Sequence, residues 1–477
     1  MSQAPSRTVV VLAAGEGKRM KSTTPKVLHP LLGRTLLGHV LSAAEPAQAA
    51  RTIVVVGHKA DRVREHLTEI APAATPVRQA QQNGTGHAVR IALEAAPDAD
   101  GTVVVLNGDV PLLRPETVAA LLTAHEEAEA GATLLAAEVD DPTGLGRVVR
   151  DAAGNLERIV EERDAGPQVR AIREINAGIY AFDAALLREA LSKLSTDNDQ
   201  GEEYLTDVFG LLATAGQPVA VFVAPDAEET LGCNDRAELA VLRARLRDRV
   251  NAAWMRAGVS ILDPATTWID VTVRLSPDAE IDQNSQLLGA TSVGAGAIVG
   301  PDTTLIDTTV GEGAVVLRTH SIGAEIGPDS TIGPFSFLRP GTKTGRKAKI
   351  GGFVETKNAE LGDGAKVPHL SYVGDAAIGA KANIGAGTIF ANYDGITKHR
   401  TTVGEAAFVG SDTVLIAPVE VGPGAYIAAG SAVHMEVPAG NLGVSRAQQR
   451  NIEGWTARKR PGTVSAEAAA KAEADEA

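Results

Sequence analysis

From Leu275 onward the aliphatic residues keep a beat of six. Leu275, Ile281, Leu287, Val293, Val299 and Leu305 are each six apart, Ile326, Ile332 and Leu338 repeat the spacing, and Val403, Val409, Leu415, Val421, Ile427 and Val433 run it through six members again. Such a period calls for one short strand and one turn per repeat, with the aliphatic side chain pointing inward at each corner, and stacked repeats of this kind make a parallel β-helix. Chance supplies a few such hits, not two separate runs of six. Gly follows many of the aliphatics, as in "VGAGAIVGPDTT", and 49 Gly against 3% aromatics suit a fold of tight turns and thin layers. Two stretches break the register: "ETKNAELG" at 355–362 and "ANYDGITKHR" at 391–400. Insertions leave a solenoid as loops and cluster where ligands bind, so both are predicted to be loops beside a site.

Residues 1–235 follow a different grammar. "RTVVVLAAG", "RTIVVVG", "GTVVVLNGD", "ATLLAAEV" and "QPVAVFVA" are the continuous β-branched runs of strands buried on both faces. Ala- and Leu-rich helical segments such as "TGHAVRIALEAA" and "ETVAALLTAHEEAEA" lie between them, which predicts an α/β unit with a mostly parallel sheet covered by helices. A long helix over 236–258 connects the two halves, the solenoid occupies 259–455, and the polar, Ala-rich stretch 456–477 is predicted to be disordered. A chain of 477 residues is too long for one core. Its formal charge of -14 argues against nucleic acid or an anionic membrane as the main partner. No apolar run approaches the ~18 residues that span a bilayer, and the apolar start leads into a glycine loop, not a cleavage site. The single Cys233 excludes an internal disulfide and fits a reducing cytoplasm.

The stretch "VVVLAAGEGKRMKSTTPKVLHP" at 9–30 runs against the global charge. A strand, a glycine turn and a helix start offer backbone N–H groups to a phosphate. The third glycine of the dinucleotide fingerprint is absent, and so is the Walker A spacing. What remains is a charge density suited to a triphosphate: Arg19 as a fork for phosphate oxygens, with Lys18 and Lys26 as point charges.

"LAAGEGKRMKSTTPKVLH" resembles the signature of sugar-nucleotide pyrophosphorylases, which have a Rossmann-like nucleotidyltransferase domain, and the hexapeptide half resembles left-handed β-helix acyltransferases. Together, over residues 7 to 455, they resemble the bacterial bifunctional N-acetylglucosamine-1-phosphate uridylyltransferase/glucosamine-1-phosphate N-acetyltransferase family, which serves cell-wall precursor synthesis. The resemblance implies a first site in which Leu12, Ala13, Ala14 and Gly15 hold UTP, with Arg19 and Lys26 on its phosphates. Gln79, Gly84 and Thr85 of "QAQQNGTGHA" would read the uracil. Gly146, Glu161 and Asn176 would hold the sugar. Asp109, at the carboxyl end of a buried strand, is a plausible Mg²⁺ ligand, and Asn234 matches the family's second one. Asn107 departs from the Tyr or small residue that the family shows before its Gly-Asp.

Acetyl transfer to an amine needs a base and donors for the oxyanion. The resemblance makes His369 of "VPHLSYVGDA" that base, with Glu355 orienting or assisting it. Arg339, Lys357, Tyr372 and Asn383 would grip glucosamine 1-phosphate. Ala386, Asn392, Tyr393, Ser411, Ala429 and Arg446 would hold acetyl-CoA, the last meeting its 3′-phosphate. Active sites of this architecture are shared between subunits, which implies a homotrimer. Two other readings stand beside this one. A nucleotidyltransferase could use its β-helix only to assemble or regulate, as in ADP-glucose pyrophosphorylases. A metal-dependent solenoid would need a His cluster, and this half has His320, His369, His399 and His434 with no close pair.

Overall fold

The computed structural model describes residues 6–476. The chain forms two compact units that divide between Thr291 and Ser292. The division falls inside the solenoid, later than a reading of the chain's grammar suggests.

In the first unit the strands are β1 (Arg7–Ala13), a short ribbon of β2 (Pro30–Leu31) and β3 (Arg34–Thr35), β4 (Arg51–Val56), β5 (Thr75–Arg78), β6 (Thr102–Asn107), β7 (Ala132–Glu138), β8 (Arg147–Arg150), β9 (Leu156–Val160), β10 (Glu174–Asp183) and β11 (Val219–Val223). The helices are α1 (Leu36–Ala43), α2 (Ala60–Ile70), α3 (Thr85–Glu94), α4 (Pro115–Glu127), α5 (Pro167–Arg170), α6 (Ala184–Leu191), α7 (Asp207–Thr214) and α8 (Arg236–Arg256). The sheet runs β11-β7-β10-β6-β1-β4-β5, with the β8–β9 hairpin attached to β10. Alternate residues of β1 serve opposite faces. Val9 and Val11 pack with Leu37, Val40, Val63 and Leu121 from α1, α2 and α4, whereas Val10 packs with Val89, Leu187 and Phe209 from α3, α6 and α7. All five expected strands are present. Along that order the sheet is parallel except at β10, which runs antiparallel to both β6 and β7, and the attached hairpin is antiparallel as well.

The helix α8 does more than connect. Asp235 caps it by accepting from the N–H groups of Ala237 and Glu238. Its Leu239, Leu242 and Leu246 pack with Met20, Leu31, Leu36 and Leu112, behind the glycine loop. Four of its arginines donate to main-chain carbonyls: Arg236 to Met20, Arg243 to Pro30, Arg247 to Ala265 and Arg249 to Leu112.

The second unit is a stack of coils joined by parallel pairing, as expected of a β-helix. Thr331 pairs with Lys349 and Ile332 with Ile350, eighteen positions on, or three hexads. Every aliphatic of the six-residue series is at most 8% exposed. Small polar residues share the interior and satisfy one another, as Thr342 and Thr356 do through their hydroxyls at 2.9 Å.

The two predicted loops behave differently. Residues 355–362 do not leave the coil: Glu355–Leu361 is a strand, paired on both sides. The register slips there because Thr356 and Leu361, both buried, are five apart instead of six. Residues 391–400 do leave it. Ile378 pairs with Val403, twenty-five positions on. The stretch 456–477, predicted as disordered, is helical at Trp455–Lys459 and Val464–Glu476. Alanine, the best helix former, accounts for the second of these.

Candidate active sites

The glycine loop is shaped by the residue it overlies. Gly17 has φ 65, and a side chain there would start 2.7 Å from Cβ of Lys26. Only glycine lets the turn close onto that lysine stem. Apart from its chain neighbours, no described residue comes within 4 Å of where a side chain on Gly15 would start, so the loop faces open space. Ala13 and Ala14 are buried, Leu12 is half-buried, and Arg19 is exposed. Gln82, inside the stretch expected to read a base, donates to the Ala14 carbonyl at 2.7 Å and braces the loop. Lys26 forms an ion pair with Asp109, just beyond the end of β6. The Cys233 N–H donates to the Asp109 carbonyl at 2.9 Å, which brings Asn234 to the same place across 125 positions of sequence. Cys233 itself is buried, and that burial pushes its thiol up to about 11.

The stretch expected to read the base sits beside this, since Gln82 belongs to it. Gln79 is 5% exposed and donates to the Gly84 carbonyl, with His87 Nδ1 also within 3.1 Å. The Thr85 hydroxyl accepts from the Leu205 N–H, and the Gly86 N–H donates to the Glu203 carbonyl. Residues 203–206 were not singled out from the sequence, yet they connect two groups, because Thr206 donates to Glu161 at 3.3 Å.

Gly146, Glu161 and Asn176 come together. The Asn176 N–H donates to the Gly146 carbonyl at 2.9 Å, and a side chain on Gly146 would start 3.5 Å from both Asn176 Cβ and Glu161 Oε2. Asn176 also donates to the Tyr180 hydroxyl at 2.9 Å. Burial raises the Glu161 carboxyl above the ordinary range; Thr206 opposes the rise, and Asp164 and Asp207 add to it. Asn107 lies against Gly178, whose φ of 71 falls in the bulge of β10 between Asn176 and Tyr180. That contact links the group to the strand end carrying Asp109. A cavity of about 1090 Å³ lined by Arg34, His66, Arg243 and Asp270 includes none of these residues.

In the second unit two ladders climb the coils. One runs Phe337, Glu355, Tyr372, Ile389 in register. Arg339 donates to Glu355 at 2.9 Å, and Lys357 stands opposite Gly374. Lys398, from the 391–400 insertion, lies against Lys357 and lowers its pKa. Two ammonium groups held together with Arg339 nearby make an anion-binding surface. Burial would raise Asp375, but donors from Asn358 and Asn392 and the charges of Lys357 and Lys398 hold it below its ordinary value.

The other ladder carries His369, which is exposed at the end of the strand Lys366–His369. Its carbonyl accepts from the Gly387 N–H; the Ala386 carbonyl accepts from Asp412, the Ser411 carbonyl from Gly430, and the Ala429 carbonyl from the Arg446 guanidinium at 2.9 Å. His369, Ala386, Ser411, Ala429 and Arg446 therefore line one corner of successive coils. Asn383 sits three residues before Ala386 on the same coil. Asn392 is buried, and Tyr393 is exposed on the insertion. Lys398 and Asp375 were missed from the sequence; the first lay within the insertion flagged there.

Residues 9–256 match the family profile described as a MobA-like NTP transferase domain. Over the whole chain, the bifunctional protein GlmU of Streptomyces avermitilis is 55% identical across 471 residues, 98% of each chain. That of Streptomyces coelicolor is 54% identical over 98% of each, and that of Corynebacterium efficiens 51% over 98% of this chain and 97% of its own. Similarity at this level over both units leaves one assignment: the chain belongs to the GlmU family of bifunctional proteins.

Proposed function

We propose that this enzyme acetylates glucosamine 1-phosphate with acetyl-CoA in its second half, then couples the N-acetylglucosamine 1-phosphate so formed to UTP in its first half. The products are UDP-N-acetylglucosamine and pyrophosphate, for cell-wall precursors. One observation carries the reading: a single chain holds an open glycine loop over a Lys–Asp pair on one architecture, and an exposed His and a cationic cluster on two ladders of another.

In uridylyl transfer an oxygen of the sugar phosphate attacks the α-phosphorus of UTP, and pyrophosphate leaves. Such chemistry needs positioning and charge neutralisation more than covalent help. Loop N–H groups from Leu12 to Gly15 orient the triphosphate, Arg19 and Lys26 balance its charge, and Gln79, Gly84 and Thr85 select the base. Gly146, Glu161 and Asn176 hold the sugar. The all-oxygen donor pair of Asp109 and Asn234 fits Mg²⁺, which takes one or two protein oxygens and completes its shell with phosphates and water. Bound there, the ion would supply positive charge to phosphate oxygens.

In acetyl transfer His369 takes a proton from the sugar amine as it attacks the thioester carbonyl, and CoA departs as the thiol. Arg339, Lys357, Tyr372 and Asn383 hold the sugar phosphate. The corner from Ala386 to Arg446, with Asn392 and Tyr393, holds acetyl-CoA. We assign the first activity to 1–235, a linking helix to 236–258 and the second to 259–455. A cytoplasmic homotrimer fits the exposed Tyr393 and Ile396 on the insertion, 59% and 88% accessible. Among the described residues no helix is long and apolar enough to cross a membrane.

A split assay tests the reading. Asp109→Ala should abolish pyrophosphate release and spare CoA release, and His369→Ala should do the reverse. Near-normal activity of both variants in both arms would overturn the assignment.

A further inference from the structure

Arg147 is 1% exposed and is among the largest fully buried side chains of the chain. It directly follows Gly146, and in the β8–β9 hairpin it pairs with Val160, the residue before Glu161. The hairpin's register thus delivers Gly146 and Glu161 side by side, and Arg147 sits at the seam.

Its guanidinium ties three segments. Nη2 donates to Glu162 Oε2 at 2.7 Å, Nη1 donates to the Leu145 carbonyl, and Nη2 reaches the Arg170 carbonyl at the end of α5 at 3.4 Å. Arg170 closes the ring by donating to the Glu162 carbonyl at 3.3 Å. Among the described residues, Nε is buried without a hydrogen-bond partner. Burying a guanidinium is expensive even when it is paired, and replacing a whole buried ion pair by apolar residues of similar volume often serves stability as well or better. The orphaned Nε adds to that cost. Stability alone does not account for an arginine here.

Orientation does. The Leu145 carbonyl and the Gly146 N–H belong to one peptide plane and, in a trans peptide, point in opposite directions. Arg147 fixes the carbonyl, so it also fixes where the Gly146 N–H points: away from the guanidinium. That N–H donates to no group among the described residues. On the other side of Gly146, its own carbonyl is held by Asn176 at 2.9 Å. Both peptide planes around Gly146 are therefore locked, one by a sugar-site residue and one by Arg147.

We propose that Arg147 is a positioning residue for uridylyl transfer, aiming the Gly146 N–H at an acceptor oxygen of the sugar phosphate and holding Glu161 in place through Glu162. This rests on the reading of Gly146, Glu161 and Asn176 as the sugar site.

The test is steady-state kinetics on full-length Arg147→Met and Arg147→Lys, varying each substrate in turn, with CoA release and thermal midpoint measured on the same samples. Misaiming a positioned donor is expected to raise KM for N-acetylglucosamine 1-phosphate ~10-fold or more in Arg147→Met. KM for UTP and CoA release should hold, whereas the thermal midpoint should fall, because Glu162 and the Leu145 and Arg170 carbonyls lose their donor. Arg147→Lys, which keeps the charge but not the fork, should recover part of the loss. If Arg147→Met does not fold, Glu162→Gln carries the same expectation. An unchanged sugar KM in a folded variant would overturn the proposal, as would equal rises in both KM values. Asn176→Ala separates the two ideas. Should it leave the sugar KM unchanged, the site reading fails; should it raise that KM while Arg147→Met does not, only the role of Arg147 fails.

Discussion

Glu161 shows activity and stability pulling against each other at one carboxyl. Burial raises its pKa in the folded chain, with Asp164 and Asp207 nearby to raise it further. A group that binds its proton more tightly when folded contributes stability below its unfolded pKa, and that contribution is lost as pH rises through the folded value. The ionised form is the stronger acceptor for sugar hydroxyls. Acidification through the raised pKa should therefore raise KM for the sugar phosphate while this site gains stability. Glu161→Gln should flatten the acid limb of that KM profile, and an unaltered limb would refute the assignment. Asn107 offers a second case. The sequence shows it only as a departure from the family's pattern, because its partner Gly178 is 71 positions away. A side chain on Gly178 would both occupy the Asn107 amide's space and strain a φ of 71. Gly178→Ala should lower the thermal midpoint and uridylyl transfer together. Asn107→Ala in the same chain should restore part of both, leaving the strain of about 1–2 kcal/mol. Strict additivity would mean that the two do not interact.

Elements were legible to the extent that neighbours in sequence determine them. Each hexad fixes its own inward residue, so the solenoid could be read from spacing, and the five strands from their β-branched runs, although the edge strand Val219–Val223 is half-buried to exposed and not buried on both faces. What escaped depends on distant partners. The direction of β10 is set by β6 and β7, and its bulge by the Asn107 contact. In the hairpin β8–β9, Arg147 is tied down by distant segments, through Glu162 and the Arg170 carbonyl. Five-residue steps such as Thr356 to Leu361 look like an insertion in sequence, although the coil absorbs them. The 391–400 insertion was legible as a loop, but not the device that shapes it. Asp394 accepts from the N–H groups of Ile396 and Thr397 and contacts His399 Nε2 at 2.8 Å, which together hold its carboxyl well below the usual range. With a depressed folded pKa, this ordering is present above the unfolded carboxylate pKa and is lost as pH falls through the folded one. Asp394→Ala should loosen the loop that carries Asn392, Tyr393 and Lys398. CoA-release kinetics should show KM rising for acetyl-CoA and glucosamine 1-phosphate, with uridylyl transfer unaffected. A matched fall in both activities would point to general unfolding instead.

At the scale of the whole molecule, the place where the grammar of the chain changes is not where the first unit ends. A cut at 235, before α8, looks natural from composition, yet it removes Leu239, Leu242 and Leu246 from the cluster behind Met20 and Leu112. Fully burying a leucine is worth roughly 1.5–3 kcal/mol, so three of them carry about 5–9 kcal/mol. That is comparable with the whole stability of an ordinary domain, about 5–15 kcal/mol. The same cut frees the carbonyls of Met20 and Leu112 from Arg236 and Arg249, and these carbonyls belong to the two loops that bear Arg19 and Asp109. A piece covering 1–291 keeps all of these contacts. It should unfold in a single cooperative transition and retain uridylyl transfer within about threefold of the full chain, since what it loses lies in the other unit. A piece covering 1–235 should show no cooperative transition at 25 °C, or lose at least ~10-fold in pyrophosphate release, as expected when the groups around a reacting phosphate are no longer held in place. Comparable melting curves and rates for the two pieces would show that α8 is a tether after all, and that the glycine loop and the Asp109 arm hold their shape unaided.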